Sequence, residues 1–344
     1  MVRNPSTTVG VFMMKKTMCL GAIGLVFLLT SCASADQFRF EDEHTTPSAY
    51  VPLPDGVTLE KADGVAHEPN ETTNLLGSLA PDERRPQERV PEIMRRGRLI
   101  VGVDQSQYLL GYRDPASGEI LGFEADIARE IARDIFGDPS KVEFRFVDSS
   151  SWVEVLESNQ VDCIIRNISI TRQRQDQVFF STAYLTAQTR LLVPARSEVE
   201  TIDDLAGKTA CVTDKSTSLQ SAKAYAPHTN LLVANSDSDC LVSLQQSQAD
   251  ALISDDITLS GIAAQDPFTR ITNSTIGEEH YGIAFAKPGV RHNTDGLIRQ
   301  VNSTLERIFS DGTWYELYDQ WLGAYLPTQQ PPALNYRSER TVRN

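Results

Sequence analysis

The sequence predicts an α/β fold of two lobes, and three observations carry this prediction. First, 40% of the 344 residues are hydrophobic, which is enough apolar material for a core of one or two domains. Second, short apolar runs alternate with amphipathic segments, which indicates parallel strands joined by right-handed helical crossovers. Third, the alternation restarts near residue 209. Two such lobes leave a cleft between them as the expected ligand site.

Composition excludes several classes of function. The chain has 32 Lys plus Arg against 46 Asp plus Glu, and a net charge of −14 argues against nucleic acid as a partner. A mean hydropathy of −0.28 with one long apolar run argues against a polytopic membrane protein. The five His are scattered, and no Cys/His cluster has metal-ligand spacing. We therefore expect an acidic monomeric globule without cofactor or metal.

Residues 1–31 are predicted to be a lipoprotein signal peptide. Lys15 and Lys16 precede an apolar run that is too short for a comfortable membrane span, and the run ends in Leu-Thr-Ser-Cys32, which looks like a bacterial lipobox. We expect Cys32 to be the lipidated N-terminus of the mature protein, at the extracytoplasmic face of the cell membrane. A plain secretory signal with an incidental Cys is the alternative. The late position of the basic pair makes Met13 or Met14 an alternative start.

The elements of the first lobe follow in order. Residues 98–103 read as a buried strand, and Phe123, Ile127, Ile131 and Ile135 recur every four residues, as on one face of a helix. Residues 143–147 alternate like a strand, and a short helix is expected around Trp152. Two further apolar strands are expected at residues 162–165 and 190–194.

The second lobe and the closing helices follow. Strands are expected at 209–212, 230–233, 251–254 and 281–286, with helices at 218–225 and 239–248 and two amphipathic helices near the end. Pro-rich, acidic residues 32–90 are predicted to be a flexible spacer and residues 327–344 a mobile tail, since neither shows periodicity. The predicted boundaries are 91–193 for the first part of lobe 1, 194–285 for lobe 2 and 286–326 for the second part of lobe 1.

Five segments between about Arg95 and Leu322 carry a resemblance to a known family. They are Gly122–Ala128, Val161–Thr171, Phe179–Tyr184, Ile202–Lys208 and Asp311–Trp314. On these segments the chain resembles the amino-acid-binding proteins of polar amino acid ABC transporters, solute-binding protein family 3, and among them actinobacterial glutamate/glutamine/aspartate-binding lipoproteins. The resemblance implies a type II periplasmic-binding-protein fold with a two-strand hinge, near residues 193–194 and 286–287. It also implies an amino-acid ligand and an ABC permease or membrane sensor as partner.

The expected site is a clamp for an amino-acid zwitterion. A desolvated α-carboxylate requires a guanidinium and neutral donors, and the resemblance places these roles on Arg174 and Ser169, just after a buried strand. The α-ammonium requires an acceptor from the other lobe, and the resemblance places it on Asp255, with adjacent Asp256 as the alternative. Thr217 and Ser218, at a helix start, are expected to extend the clamp; an ordinary helix cap is the alternative, and both can be true together.

The side-chain preference is predicted from charge. Gln107 and Ser149 stand where glutamine binders of the family often have aromatic residues. Arg166, beside Asn167 at a strand end, is expected to favour a second carboxylate, hence glutamate or aspartate over their amides. Lys215 is a second candidate cation. Asp104, after the first strand, is expected at the rim of the cleft.

The remaining cysteines and an enzymatic alternative complete the predictions. Related actinobacterial binders imply a disulfide between Cys211 and Cys240, with two buried thiols as the alternative, and Cys163 is expected to be a reduced core residue. Cyclohexadienyl dehydratases resemble these binders, and such chemistry needs an acid of raised pKa, for which Asp104 and Glu124 are the candidates. We expect no enzyme, because a shared fold does not establish an activity.

Overall fold

The computed structural model describes residues 52–287 and 294–338, which lie within one compact unit, Val51–Asn344. The predicted signal peptide and Cys32 lie outside the described residues. The strands in chain order are β1 (Thr58–Glu60), β2 (Leu99–Val103), β3 (Ser106–Gln107), β4 (Gly111–Arg113), β5 (Ile120–Leu121), β6 (Val142–Phe146), β7 (Cys163–Ile164), β8 (Phe179–Pro194), β9 (Thr209–Thr213), β10 (Asn230–Ala234), β11 (Ala251–Asp255), β12 (Thr269–Ile271) and β13 (Gly277–Phe285).

The helices pack on both faces of the main sheet, and none in the described residues is long and apolar enough to cross a membrane. In chain order they are α1 (Pro86–Arg89), α2 (Pro91–Arg96), α3 (Phe123–Phe136), α4 (Trp152–Glu157), α5 (Arg172–Gln175), α6 (Thr217–Tyr225), α7 (Asp237–Gln245), α8 (Asp256–Ala263), α9 (Thr294–Asp311) and α10 (Thr313–Trp321), with a 3₁₀ turn at Ile202–Leu205.

The main sheet has two parallel halves joined by two long antiparallel strands. Its order is β1-β10-β9-β11-β8-β13-β7-β2-β6, with β12 beside β8. β2 runs parallel to β6 and β7 in the first half, and β9 runs parallel to β10 and β11 in the second. The predicted α/β class is confirmed. We call the two halves, with their helices, lobe 1 and lobe 2.

Helix α3 shows how the sequence sets local structure in lobe 1. Gly122 precedes it with φ 127°, and a Cβ at this position would lie 2.2 Å from the Leu110 carbonyl oxygen, so only glycine fits. The four-residue repeat predicted for this helix is buried against β2, and the Phe123 ring meets Trp314 of α10 edge-on at 6.0 Å. Packing of the apolar face of α3 against β2 fixes both ends of the segment that connects them, and this segment carries Asp104, the first candidate site residue in the chain.

The two strands that connect the lobes, β8 and β13, pass from one lobe to the other earlier in the chain than the predicted boundaries. β8 pairs with β13 through Thr189 and with β11 from Thr189 to Leu192, so it has entered lobe 2 before residue 193. β13 pairs with β7 at Ala284, so it has reached lobe 1 before residue 286. The difference arises because both strands are much longer than the apolar runs that predicted them.

The described part of the predicted spacer, residues 52–90, is packed onto both lobes, which corrects the expectation of a flexible segment. β1 adds an antiparallel edge strand to β10, and Val57 is buried in the core of lobe 2. Leu79 and Val90 are buried in the core of lobe 1. Isolated buried apolar residues and backbone hydrogen bonds stabilise this segment, and neither leaves a periodic pattern in the sequence.

The described part of the predicted tail, residues 327–338, is also packed. The Asn335 amide donates to Thr182 Oγ1 at 3.2 Å, and the Tyr336 hydroxyl donates to Glu306 Oε1 at 2.9 Å. The Ser78 amide donates to the Asn335 carbonyl at 2.8 Å, so the two terminal segments pair with each other. These hydrogen bonds hold the segment against lobe 1 although its composition is rich in Pro.

The implied disulfide is present and joins Cys211 of β9 to Cys240 of α7. It ties a helix to the sheet within lobe 2, and both residues are fully buried. Cys163 lies buried in β7, in the core of lobe 1. The pairing predicted from the resemblance is therefore confirmed.

Replacing Cys240 by alanine is expected to lower the free energy of unfolding by about 3–4 kcal/mol, because the bond closes a loop with a sequence separation of 29 residues. Urea unfolding of the oxidised protein and the variant measures the difference. Reduction of the unmodified protein should produce a loss of the same size. Equal midpoints for oxidised and reduced protein would contradict the prediction.

Candidate functional site

A cavity lies between the lobes at the carboxyl ends of the parallel strands. Lobe 1 contributes Asp104, Gln107, Ser149, Trp152, Arg166, Asn167 and Arg174, and lobe 2 contributes Thr213, Ser216, Thr217, Ser218, Asp237, Ser254 and Asp255. This is where a cleft is expected in sheets of this topology, because strand ends of one sense meet at one edge.

The structure brings seven of the nine predicted binding residues to this cavity: Asp104, Arg166, Asn167, Arg174, Thr217, Ser218 and Asp255. Ser169 lies behind the wall, with its hydroxyl 3.4 Å from Thr217 Oγ1. The Lys215 ammonium donates to the Ser150 carbonyl at 3.1 Å, outside the lining. Lys215 is therefore engaged at the surface and is not a cation of the cavity.

Arg174 is a half-buried cation that hydrogen bonds to carbonyl groups. Its Nη1 donates to the Ser169 carbonyl at 2.9 Å, its Nη2 donates to the Lys215 carbonyl at 3.3 Å, and it lies 5.9 Å from the Trp152 ring. No described carboxylate forms a salt bridge with it. Burial lowers the pKa of Arg174, while the charges of Glu279 and Asp255 raise it. The guanidinium is thus desolvated and suited to an anion.

Asp255 faces the same cavity from lobe 2. It ends β11, its Oδ2 accepts a hydrogen bond from the Tyr281 hydroxyl at 2.6 Å, and its buried Oδ1 has no partner among the described residues. Burial raises the pKa of Asp255 well above its usual range, and the negative charge of Glu279 raises it further. An unpartnered buried oxygen of this kind is suited to a cationic donor.

Asp256, the alternative to Asp255, has another role. Its Oδ1 accepts a hydrogen bond from the Gln188 amide at 3.0 Å, on the crossing strand β8. It is not part of the cavity lining. Of the two adjacent aspartates, Asp255 is the one that lines the cavity.

Arg166 is paired, which corrects the expectation of an available cation. Its Nη2 donates to Asp104 Oδ2 at 2.7 Å, and both side chains are only 9% exposed. The pair carries no net charge, so the predicted preference for acidic side chains loses its main basis. The buried Arg166 Nε has no partner among the described residues, and it leaves one donor for a ligand oxygen.

Asp237 is a site residue that the sequence interpretation missed. Its Oδ2 accepts a hydrogen bond from Gln107 Nε2 of lobe 1 at 3.1 Å, and its Oδ1 accepts one from Thr213 Oγ1 at 3.1 Å. Burial raises the pKa of Asp237. Its position was available from the sequence, because it begins α7 shortly after β10 ends, near the strand end where a cleft is expected.

Glu279 was also missed, and it lies between the two ends of the expected clamp. Its Oε2 accepts hydrogen bonds from the Thr217 hydroxyl at 2.7 Å and from the Ser169 hydroxyl. Residues 278–279 precede the apolar run that predicted β13, so no sequence signal marked this carboxylate as buried.

Aromatic surface is supplied from positions other than the expected ones. Gln107 and Ser149 line the cavity as polar residues, while Phe146 and Trp152 line it as aromatic ones. Trp152 was predicted only as a helix residue, and its ring also packs against Arg174.

Glu124, a candidate acid of the enzymatic alternative, has a structural role. Its Oε1 accepts hydrogen bonds from the Asn167 amide at 2.6 Å and from the Tyr184 hydroxyl. Asn167 has φ 45°, so this carboxyl supports a left-handed residue at the cavity wall. Burial raises the pKa of Glu124 to about 7, but Glu124 does not line the cavity. Asp104, the other candidate, is held by Arg166.

The chain is similar to known binding proteins over most of its described length. It is 32% identical over 226 residues to the ABC transporter glutamine-binding protein GlnH of Bacillus subtilis, covering 65% of this chain and 81% of that protein. It is 30% identical over 242 residues to the glutamate-binding protein GluB of Corynebacterium glutamicum, covering 67% of this chain and 80% of that protein.

Solved structures agree with this similarity. A solute receptor for L-cysteine from Neisseria gonorrhoeae superposes with a TM-score of 0.64 at 26% identity, covering 69% of this chain and 94% of that one. Residues 99–324 match the family described as bacterial extracellular solute-binding proteins, family 3. The protein therefore belongs to the bacterial extracellular solute-binding proteins, family 3.

Proposed function

We propose that the protein closes on an L-amino acid, with Arg174 binding the α-carboxylate and Asp255 binding the α-ammonium. The observation that carries this proposal is that two side chains face one cavity from opposite lobes: the half-buried Arg174 guanidinium, which has no carboxylate partner among the described residues, and the buried Asp255 carboxyl, which has one unpartnered oxygen. A zwitterion supplies the anion that one lacks and the donor that the other lacks. Each end of the ligand then stabilises the closed arrangement of the lobes.

The proposed ligand has a side chain that ends in an oxygen acceptor. Arg166 Nε supplies a donor at the wall formed with Asp104, and this donor suits the carboxylate of glutamate or aspartate and the amide of glutamine or asparagine equally. Asp237 adds an acidic group nearby, which opposes a second negative charge. Relatives named for glutamine and for glutamate binding support this ligand class.

Closure is proposed to occur by rotation about β8 and β13. These two strands connect the halves of the sheet, and Asn70 and Glu71 of the N-terminal segment form a third connection. The side-chain Nδ2 of Asn70 donates to the Thr217 carbonyl of lobe 2 at 3.4 Å, and the Glu71 carbonyl accepts from the backbone amide of Arg172 of lobe 1 at 3.0 Å. This third connection would limit how far the lobes separate.

The cellular role that we propose is capture at the outer face of the membrane. The lipobox at Cys32 supports a lipid anchor. The bound form would then deliver the amino acid to an ABC permease or present it to a membrane sensor. Loss of uptake on deletion indicates delivery, and unchanged uptake indicates sensing.

Thermal unfolding in the presence of single amino acids tests the binding proposal. At 100 times its dissociation constant, a ligand adds about 2.7 kcal/mol of stability, which raises the melting temperature by roughly 5–10 °C. We expect this rise with one or more of L-glutamate, L-aspartate, L-glutamine and L-asparagine. The D-enantiomers serve as matched controls, and the absence of a rise with all twenty L-amino acids would refute the proposal.

A further inference from the structure

Glu279 is a buried carboxylate in contact with both lobes. It lies on the crossing strand β13 and is 3% exposed. Ser169, on the lobe 1 side, and Thr217, the first residue of α6 in lobe 2, both lie within hydrogen-bond distance of the same atom, Glu279 Oε2. A third hydroxyl, Thr189 Oγ1, lies 3.4 Å from Oε1.

The hydroxyls of Ser169 and Thr217 can form few further hydrogen bonds, because each has only one hydrogen to donate. Each hydroxyl has one hydrogen and two lone pairs. Because Ser169 and Thr217 give their hydrogens to Glu279, their side chains have only lone pairs left for any other group. Thr217 lines the cavity and Ser169 lies directly behind it. Thr217 and Asp255 line the same cavity from lobe 2, and the corner that they form there offers the lone pairs of the Thr217 hydroxyl and the unpartnered Asp255 Oδ1.

An ammonium group fits such a corner and a carboxylate does not. The α-ammonium of an amino acid has three donors and no acceptor, whereas a carboxylate has only acceptors. The Ser169 hydroxyl was expected to assist Arg174 with the carboxylate, but its hydrogen is already donated to Glu279. The charge of Glu279 adds attraction for the ammonium group.

We propose that Glu279 is a positioning residue of the clamp, which fixes the Thr217 hydroxyl as an acceptor for the ammonium group of the ligand. The inference rests on the proposed amino-acid function and extends it to a residue that does not line the cavity. Glu279 also contacts both lobes through one oxygen atom, because Oε2 accepts from Ser169 on the lobe 1 side and from Thr217 of lobe 2.

A double-mutant cycle between Glu279→Gln and Thr217→Val tests the proposal. Calorimetry measures the dissociation constant of the amino acid that gives the largest thermal shift, with L-glutamine as probe if several are equal. We expect Glu279→Gln to raise this constant about tenfold or more, because a hydrogen bond to a charged group is lost. In the Thr217→Val background the same change should cost about threefold or less, since the hydroxyl through which it acts is gone.

Glu278→Gln is the matched control, because Glu278 is the adjacent residue of β13 and its side chain is 60% exposed. It should bind as the unmodified protein does. Fully multiplicative losses in the cycle would overturn the inference, as would unchanged binding by Glu279→Gln. If that variant fails to fold, Thr217→Val alone decides, and unchanged affinity refutes the inference. An unmodified protein that binds no amino acid would instead refute the proposed function itself.

Discussion

Replacing Arg174 by alanine is expected to weaken amino-acid binding by a factor of about 10² to 10³, because the ligand carboxylate would be buried without its cation. Arg174 is the desolvated guanidinium of the cavity whose hydrogen bonds go to carbonyl groups. Arg174→Lys should give an intermediate loss, since it keeps the charge but lacks the planar pair of donors. Calorimetric titration of each variant measures these losses.

Arg172→Ala is the matched control for this prediction. Arg172 lies on the same short helix, and its side chain is 35% exposed and paired with Asp176 at 3.0 Å. Its removal should leave binding unchanged, because exposed ion pairs contribute little. Equal losses for the two alanine variants would mean that α5 matters as a structural element. The role of Arg174 as carboxylate ligand would then be contradicted.

Binding is expected to release protons, and Asp255 is their expected source. In the unliganded protein, burial and the charge of Glu279 raise the pKa of Asp255 well above 3.8. A bound ammonium favours the ionised carboxylate and lowers that pKa again. The complex therefore holds fewer protons than the free protein. Affinity should rise with pH between the two pKa values, by up to about tenfold per pH unit for one proton.

Calorimetry at one pH in buffers of different ionisation enthalpy counts the protons released. Asp255→Asn should bind weakly and show less proton release than the unmodified protein. Asp237, whose pKa is also raised by burial, remains in that variant, so the difference isolates Asp255. Proton uptake on binding, or equal release by both proteins, would contradict the account.

The parts of the fold that were predictable have local signals. The four-residue repeat in α3 and the apolar runs in β2 and β9 result from burial of one helix face or of both strand faces. The length of β8 was underestimated, because the prediction rested on the short apolar run Leu191–Val193 near its end, and polar residues interrupt the strand before it. Residues 52–90 were misinterpreted, because packing through isolated residues such as Val57 and Leu79 is not periodic.

The site was predictable where it depends on strand ends and unpredictable where it depends on pairing. Arg174 lies on the short helix after β7, and Asp255 ends β11. Both therefore lie near strand ends at the edge of the sheet where a cleft is expected. The pairing of Arg166 with Asp104 joins residues 62 apart, and the contact of Ser169 with Glu279 joins residues 110 apart. Only the assembled fold reveals that one cation is neutralised and that one hydroxyl is already engaged.

A crystal structure of the protein with its preferred amino acid would test the clamp most directly. The account predicts that the ligand lies between the lobes, with its α-carboxylate within about 3.2 Å of the Arg174 guanidinium and its α-ammonium at the same range from Asp255 Oδ1. A ligand bound elsewhere, or one whose ammonium and carboxylate exchange these positions, would contradict it.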